Sequence, residues 1–343
     1  MMLSKKSLFT FWVWMVSLGS QAQEILFYNW VGYLDQTLVE QFESEHRIKI
    51  AQDYFASEDL RDEVINSGRA NGFDLVLVDG WSLQIMGNKK LFHNVSDLIR
   101  SMPERFGSEF QQACGEYGIP YSWGTLGIVY RSEVARQPIT SWKQLFHPPK
   151  EHQGKIVMYS DIVDGTASAL LAAGQSPFTS DVDTLKQAYG LFQTQAPHVL
   201  AYEYGDSYAY RHGASSEMTM ALGYSGDEYS IAEVTGQADW TYVVPKEGTV
   251  IWTECLAFPA SGEIHPQTLE FVRFLSRPEI AIQNAESVWM ATPVTQALEL
   301  ASEEYRTDSG LFPDQEVLEK SHHYQPIASN GQRLRFKIQQ SLR

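Results

Sequence analysis

The sequence predicts an α/β protein built from two lobes. Segments with strand character alternate with segments of helical periodicity, a pattern typical of layered α/β sheets. Two long apolar segments that contain or adjoin glycine, 118–130 and 249–259, are flanked by segments that belong to different sheets. If both cross from one sheet to the other, they form a hinge with a cleft between the lobes.

The first lobe begins with a repeated strand–helix pattern. A buried strand is predicted at EILFYNW (24–30), a helix at LDQTLVEQFESEH (34–46) and a second strand at RIKIAQDYF (47–55). The next helix is predicted at SEDLRDEVINSG (57–68), between a capping serine and a terminating glycine. The run FDLVLVDG (73–80) is apolar on both faces, as in strands of parallel sheets.

The second lobe repeats the pattern after a segment, 139–154, in which Ser141 caps a short helix and two prolines form a turn. The remaining segments are, in order, a strand at KIVMYSD (155–161), helices at 166–174 and 181–195, a strand at MTMALGYSG (218–226), a short helix at 228–236, two strands around the PKEG turn within 240–259, and mostly helical structure from 266 onward. We find no internal repeat and no low-complexity linker.

The first 22 residues have the features of a cleaved secretory signal peptide. A basic start, MMLSKK, precedes a short apolar run and a small residue, Ala22. A retained membrane anchor is the alternative, and the absence of a cysteine at the cleavage site argues against a lipoprotein. We expect a secreted, monomeric protein.

Charge excludes one class of partner. The 343 residues carry 26 basic and 42 acidic side chains, a net charge of −16, and removal of Lys5 and Lys6 with the signal peptide makes it −18. Nucleic acid is therefore not expected as a partner, and a cationic ligand is favoured.

The chain has two cysteines, Cys114 and Cys255. An oxidising compartment allows them to form a disulfide, and two isolated buried thiols are the alternative. Their spacing does not decide between these two states.

Most predicted strands end in an aromatic residue, a carboxylate or both. Ligands of open α/β sheets bind beyond the carboxyl ends of the strands. The residues at these ends are Trp30, Tyr33, Asp79, Trp81, Asp161, Asp164, Tyr224, Asp227, Trp252 and Glu254.

These strand ends contain no lysine or arginine, so we expect the carboxylates to lack internal counter-charges. Aromatic faces attract ammonium groups by roughly 0.5–2 kcal/mol each, and carboxylates pair with them. The pattern favours an extended, multiply protonated alkylamine. Taken singly, each residue also has a structural explanation, such as a helix cap or a core aromatic.

Enzyme signatures are weak. GYSGD (223–227) departs from the G-x-S-x-G pattern of hydrolases, and we find no zinc, phosphate-loop or dinucleotide motif. His322 and His323 are expected to be exposed rather than metal ligands, and no cofactor is expected. The alternative from another class is a glycosidase that uses paired acids, such as Asp161 with Asp164 or Asp227 with Glu254.

Several longer segments resemble the spermidine- and putrescine-binding proteins of bacterial periplasms. They run in order along the chain and include FYNW (27–30), IPYSWG (119–124) and PKEGTVIWTECLAFP (245–259). The resemblance implies a two-lobed periplasmic binding protein fold that closes over a polyamine. It also implies lobe boundaries: 23–124 with about 255–300, and 125–254 with about 301–343.

The resemblance carries roles to individual residues. Trp30, Tyr33 and Trp81 correspond to an aromatic box, and Asp161 and Asp164 to an acidic pair that receives one amine. Further ligand contacts are expected from Tyr224, Trp252, Glu254, Trp289 or its neighbour Met290, and Gln325.

The chain departs from the family pattern at Asp79, where serine or threonine is usual, and at Trp289 and Met290, where a tyrosine is usual. Such changes could favour a triamine over a diamine. The chain is also similar to the norspermidine-sensing members, which implies a membrane-bound cyclic-di-GMP enzyme as partner and a role in biofilm formation. A polyamine ABC permease is the alternative partner.

Overall fold

The computed structural model describes residues 24–102, 105–159 and 161–342. The predicted signal peptide, residues 1–22, lies outside the described residues. No described helix combines the length and the apolar character needed to cross a lipid bilayer.

The strands of the described residues form one hydrogen-bonded network in the order β2-β1-β3-β9-β4-β7-β5-β6, with β10 on β9 and β8 on β4. Their bounds are β1 Glu24–Asn29, β2 Lys49–Tyr54, β3 Leu75–Asp79, β4 Gly118–Arg131, β5 Ile156–Val157, β6 Val199–Ala201, β7 Met220–Tyr224, β8 Trp240–Val243, β9 Val250–Ala257 and β10 His322–His323.

The helices cover both faces of this network. Their bounds are α1 Gln36–His46, α2 Glu58–Asn66, α3 Gly80–Asn88, α4 Ser96–Arg100, α5 Ser108–Cys114, α6 Lys143–Phe146, α7 Asp164–Ala172, α8 Val182–Gln195, α9 Gly205–His212, α10 Asp227–Thr235, α11 Pro266–Leu275, α12 Pro278–Val288, α13 Ala297–Leu300, α14 Glu303–Arg306, α15 Gln315–Leu318 and α16 Ser329–Gln340.

The first lobe contains the parallel strands β1, β2 and β3. Three of its helices start at side-chain caps. The carboxylates of Asp35 and Asp79 and the hydroxyl of Ser57 accept backbone N–H groups in the first turns of α1, α3 and α2, respectively. Along β3, Leu75 and Leu77 enter one apolar core, whereas alternate valines enter the core on the other face. Burial on both faces explains the near-continuous apolar sequence of this strand.

The second lobe contains the parallel strands β5, β6 and β7. Its largest core gathers Trp142, Phe146 and Phe192 with apolar residues of α7, and Ile338 of the C-terminal helix α16 joins it. Helix α7 is buried along its whole length, so its first residue, Asp164, is held at a fixed place beside the strand ends.

Two strands join the lobes, as the sequence predicts. Strand β4 pairs with β9 over Gly118–Thr125 and continues to pair with β7 over Leu126–Tyr130. Strand β9 also pairs with β3, where Asp79 lies opposite Glu254. The crossing strands bring the strand ends of both lobes to one cleft.

A disulfide joins Cys114, the last residue of α5, to Cys255 on β9, with an S–S distance of 1.97 Å. Both residues are fully buried. The bond therefore attaches α5 to the crossing strand one residue after Glu254, and the alternative of two isolated thiols is wrong.

The structure also contains elements that the sequence analysis did not identify. Residues 80–114 form α3, α4 and α5, and residues 199–212 contribute β6 and α9. The PKEG segment (245–248) is not the tip of a hairpin, because β8 and β9 run in succession antiparallel to β4. His322 and His323 are half-buried in β10, so the prediction that they are exposed is wrong.

Candidate ligand-binding site between the lobes

Glu254 is the most deeply buried carboxylate of the cleft, with 5% of its surface exposed. It lies on β9 between Asp79 of β3 and Ser122 of β4. Its Oε1 accepts a hydrogen bond from Trp30 Nε1 at 3.1 Å, but its Oε2 is buried without a donor from any described residue. Burial raises the pKa of Glu254 to about 7, with the nearby Arg61 opposing the shift.

Aromatic side chains stand beside Glu254. The Trp30 ring packs against the Phe55 ring with 4.3 Å between their centroids. The centroid of the Tyr33 ring lies 6.2 Å from that of the Trp30 ring. Burial and the negative charge of Glu254 raise the pKa of Tyr33, and Asp227 of the second lobe adds to the effect. Side chains from both lobes therefore lie within electrostatic reach of one another.

Asp79 has an internal counter-charge, contrary to the prediction that no basic side chain meets the cleft carboxylates. Arg61 of α2 is fully buried, and its Nη2 lies 2.5 Å from Asp79 Oδ2. The other oxygen of Asp79 accepts the backbone N–H of Ser82 at 2.8 Å. The sequence did not reveal this pair because Arg61 reaches the strand end from a neighbouring helix.

A second arginine, Arg335 of α16, lies near the acidic pair of the other lobe. Its guanidinium donates to the backbone carbonyls of Pro177 and Thr179 at 2.7 and 3.0 Å. Burial lowers the pKa of Arg335 to about 10, against the opposing effect of Asp161 and Asp164. It makes no ion pair within 4 Å of a carboxylate among the described residues, so Asp161 and Asp164 have no direct partner in this arginine.

Asp164 is held by two phenol groups. Tyr224 and Tyr324 donate their hydroxyl hydrogens to its two oxygens at 2.5 and 2.6 Å. Burial raises the pKa of Asp164 to about 7, and the charge of Asp161 adds to the shift. Asp161 itself accepts the backbone N–H groups of Val163 and Asp164, at 2.6 and 2.7 Å, where α7 begins.

Asp227 occupies the start of α10. Tyr204 donates its hydroxyl hydrogen to Oδ1 at 2.5 Å, and the backbone N–H of Tyr224 donates to Oδ2 at 2.7 Å. Burial raises the pKa of Asp227 to about 7. Asp164 and Asp227 thus both receive neutral donors from described side chains rather than positive charges.

The indole of Trp252, on β9, packs against Gly124 of the neighbouring strand β4. A Cβ on Gly124 would lie 2.3 Å from Trp252 Cζ2, so only glycine permits this approach. Trp252 Nε1 is buried and has no acceptor in the part of the chain that the structure describes. The half-buried Trp81 follows Asp79 at the start of α3.

Two further predicted contacts are Trp289, which bonds to Asp308, and Gln325, which follows Tyr324. Trp289 donates its indole N–H to Asp308 at 2.8 Å and packs against Tyr305 and Tyr229. Gln325 is exposed, whereas its neighbour Tyr324 is the residue that contacts Asp164. Met290 is buried, and its carbonyl accepts a hydrogen bond from Tyr305.

A protein-family model described as bacterial extracellular solute-binding protein matches residues 37–313. The chain belongs to this family. The predicted fold class and the predicted family are both confirmed.

Solute-binding proteins with named ligands are among the relatives. The chain is 30% identical over 321 residues to a norspermidine sensor from Vibrio cholerae, covering 93% of this chain and 88% of the relative. It is 28% identical over 302 residues to a spermidine/putrescine-binding periplasmic protein from Escherichia coli, covering 86% and 84%.

A solved structure supports the fold. The crystal structure of a spermidine/putrescine ABC transporter substrate-binding protein from Streptococcus pneumoniae superposes with a TM-score of 0.81. The match covers 94% of this chain and 100% of that chain at 24% identity. The chain thus shares its two-lobed architecture with the Streptococcus pneumoniae protein.

Sequence reasoning missed one carboxylate near the candidate site. Glu58, the first residue of α2, has an exposed surface, yet desolvation of its carboxylate raises its pKa well above the ordinary value, and the charge of Asp79 adds to the shift. Glu254 and Asp164, from opposite lobes, raise it further. The sequence predicts a helix at 57–68 with Ser57 as its cap, and it carries no separate signal for Glu58.

Three tyrosines of the second lobe, Tyr159, Tyr204 and Tyr324, were not predicted, whereas Tyr224 was. Tyr159, Tyr204 and Tyr224 form a row, with 5.7 and 5.9 Å between successive ring centroids. Tyr324 joins the row from the C-terminal segment through Asp164. The periodicity of the sequence does not identify these contacts because they join residues that are 20 or more positions apart.

Proposed function

We propose that the protein binds a linear polyamine of the norspermidine and spermidine class in the periplasm. The observation that carries the proposal is the buried Glu254 Oε2, which has no donor among the described residues. A buried carboxylate is costly unless a cation or several donors meet it. A ligand ammonium group supplies both the charge and the hydrogen bonds.

The second lobe offers a complementary acidic end. Asp161 and Asp164 are expected to receive a second ammonium group, and the pKa of about 7 of Asp164 indicates that its ionised form lacks sufficient stabilisation by the protein alone. Trp30, Tyr33, Trp81, Tyr224 and Trp252 are expected to cover the methylene groups between the charges. Asp227, Trp289 and Gln325 remain proposed contacts of the same ligand.

We further propose that ligand binding closes the lobes and that the closed form signals to a membrane-bound cyclic-di-GMP enzyme, so regulating biofilm formation. The similarity to a norspermidine sensor supports this role. The ligand can shift the equilibrium from the open to the closed form only as far as its affinities for these two forms differ. The alternative is a substrate-binding component of a polyamine ABC transporter, which the named periplasmic relatives support.

A thermal-shift series tests the binding proposal. Norspermidine, spermidine, spermine and putrescine are added separately to the protein at pH 8, with sodium chloride of equal ionic strength as control. A ligand at 100 times its Kd stabilises the folded state by about 2.7 kcal/mol, so at least one polyamine raises the Tm. If no polyamine does so and an oligosaccharide is hydrolysed, the glycosidase alternative replaces the proposal.

Capture of membrane proteins tests the partner. The protein loaded with its best polyamine is used to retain detergent-solubilised membrane proteins of its own source. Recovery of a cyclic-di-GMP enzyme supports the sensor role. Recovery of an ABC permease instead assigns the transport role.

A further inference from the structure

Arg61 occupies an environment of the kind proposed for a ligand ammonium group. Its side chain is fully buried on α2 and lies between the carboxylates of Asp62 and Asp79, at 2.9 and 2.5 Å. The guanidinium carbon lies 5.5 Å from the centre of the Phe55 ring. Carboxylates and an aromatic face thus surround an internal cation.

This internal cation lies next to the buried end of the cleft. Phe55 packs against Trp30, and Trp30 donates its indole N–H to Glu254. Burial lowers the pKa of Arg61, but the negative charges of Asp79, Glu58 and Glu254 outweigh burial and leave it above the ordinary value. Arg61 therefore stays charged beside the carboxylate that faces the ligand.

The arginine removes one negative charge from the pair formed by Asp79 and Glu254. These two acids lie opposite each other on β3 and β9. The ion pair with Arg61 leaves Glu254 as the member with an unbonded oxygen. One Arg61 nitrogen, Nη1, is buried without an acceptor among the described residues, so the guanidinium is not fully satisfied by its protein neighbours.

We propose that Arg61 determines the number of ligand charges, because its guanidinium neutralises Asp79 and repels a further ammonium group at this end of the cleft. The inference rests on the proposed polyamine-binding function and extends it to the choice among polyamines. According to this inference, the ion pair of Arg61 and Asp79 disfavours the binding of tetraamines. With the pair in place, a triamine is preferred over a tetraamine.

Calorimetric titration of norspermidine and spermine into a set of variants tests this role. Arg61→Met leaves Asp79 and Glu254 both unpaired, so the ratio of spermine affinity to norspermidine affinity rises by about tenfold, equivalent to about 1.4 kcal/mol. Asp79→Asn leaves the arginine without its partner and lowers the same ratio by a similar factor. Arg61→Met combined with Asp79→Ser removes both charges and restores the ratio to within about threefold of the original protein.

Arg131→Met is the matched control. Arg131 is also a poorly exposed arginine that pairs with an aspartate, Asp239, and stacks on an aromatic ring, that of Trp240, but it lies at the far end of β4. This substitution leaves the affinity ratio unchanged.

Equal changes in affinity for both amines in the Arg61 and Asp79 variants would overturn the inference, because they would assign the pair a structural role alone. If Arg61→Met fails to fold, the opposite shift expected for Asp79→Asn still decides the matter. If the unaltered protein binds neither amine, the proposed function itself fails, and this inference fails with it.

Discussion

Asp79 and Glu254 lie directly opposite each other on the antiparallel strands β3 and β9. Like charges at such positions destabilise a strand pair. The structure neutralises only one of the two carboxylates, because Arg61 pairs with Asp79. Glu254 instead receives a hydrogen bond from Trp30, which carries no charge. The remaining negative charge is available to a cationic ligand.

The stability of the unliganded protein is expected to decrease as the pH rises from about 4.5 to about 7. The pKa values of Asp164, Asp227, Glu228 and Glu254 are raised to about 7 by burial, from ordinary values of 3.8 or 4.5. In this window the folded state retains protons that the unfolded chain has lost, so a rising pH favours unfolding. Thermal unfolding between pH 5 and 8 measures the trend.

Three buried or half-buried histidines have the opposite effect on the pH dependence of stability. Burial lowers the pKa values of His152, His322 and His323 below 6.5, so their contribution to stability increases as the pH rises towards 6.5. Comparison with Glu254→Gln isolates the carboxyl contribution, because the variant lacks one raised pKa and keeps all three histidines. The variant should gain stability relative to the original protein as the pH rises; a constant difference would contradict the assignment.

Polyamine affinity is expected to increase between pH 6 and pH 8. An ammonium ligand favours the ionised carboxylates, and below about pH 7 binding must first displace protons from Asp164 and Glu254. Calorimetry in buffers of different ionisation enthalpy detects the released protons. Affinity that is constant over this range, with no proton release, would show that these groups are already ionised.

Tyr324→Phe is expected to weaken polyamine binding by several-fold at pH 7 and by more at pH 6. The substitution removes one of two phenol donors to Asp164, which favours the protonated acid. Tyr117→Phe is the control, because it removes a phenol hydrogen bond to the neutral side chain of Asn88. Equal effects of the two substitutions would argue against a role for Tyr324 in the cleft.

Gly124→Ala is expected to lower polyamine affinity by about tenfold or more. The new methyl group would lie 2.3 Å from the indole of Trp252, so the ring must move from its place on the crossing strand. Gly190→Ala adds a methyl group in α8, where nothing lies within 4 Å, and serves as control. Unchanged affinity in Gly124→Ala would show that the position of Trp252 is not needed.

The disulfide is expected to contribute about 2–5 kcal/mol to the free energy of unfolding, the range found when native disulfides are removed. Replacement of Cys114 and Cys255 by serine tests this by urea denaturation. Because both cysteines are fully buried, reducing agent should cleave the bond only after unfolding. Rapid reduction of the folded protein would contradict this expectation.

The alternation of strands and helices, the two crossing strands and the family could all be predicted from the sequence. Apolar runs such as 75–78 and the polar or aromatic residues that follow them are local signals. Arg61 and Glu58 were missed because their helix turns them towards a strand end that is distant in sequence. Tyr324 and the disulfide depend in the same way on tertiary contacts, which hydrophobic periodicity does not encode.

The boundaries of the lobes remain a prediction. The crossing strands exchange partners near Thr125 and Leu126, close to the proposed boundary at 124 and 125. The C-terminal helix α16 packs into the core of the second lobe. Segment 281–311 surrounds Trp123 in a separate apolar cluster between these regions.

The most direct test of the account is calorimetric titration of norspermidine into the original protein, Glu254→Gln and Glu304→Gln at pH 8. Glu304 is exposed, so the last variant removes the same charge outside the cleft. Loss of a buried charge partner costs about 2–5 kcal/mol, so Glu254→Gln should bind at least about 30-fold more weakly, while Glu304→Gln binds like the original protein. Equal affinity in all three proteins would contradict the claim that Glu254 receives a ligand ammonium group.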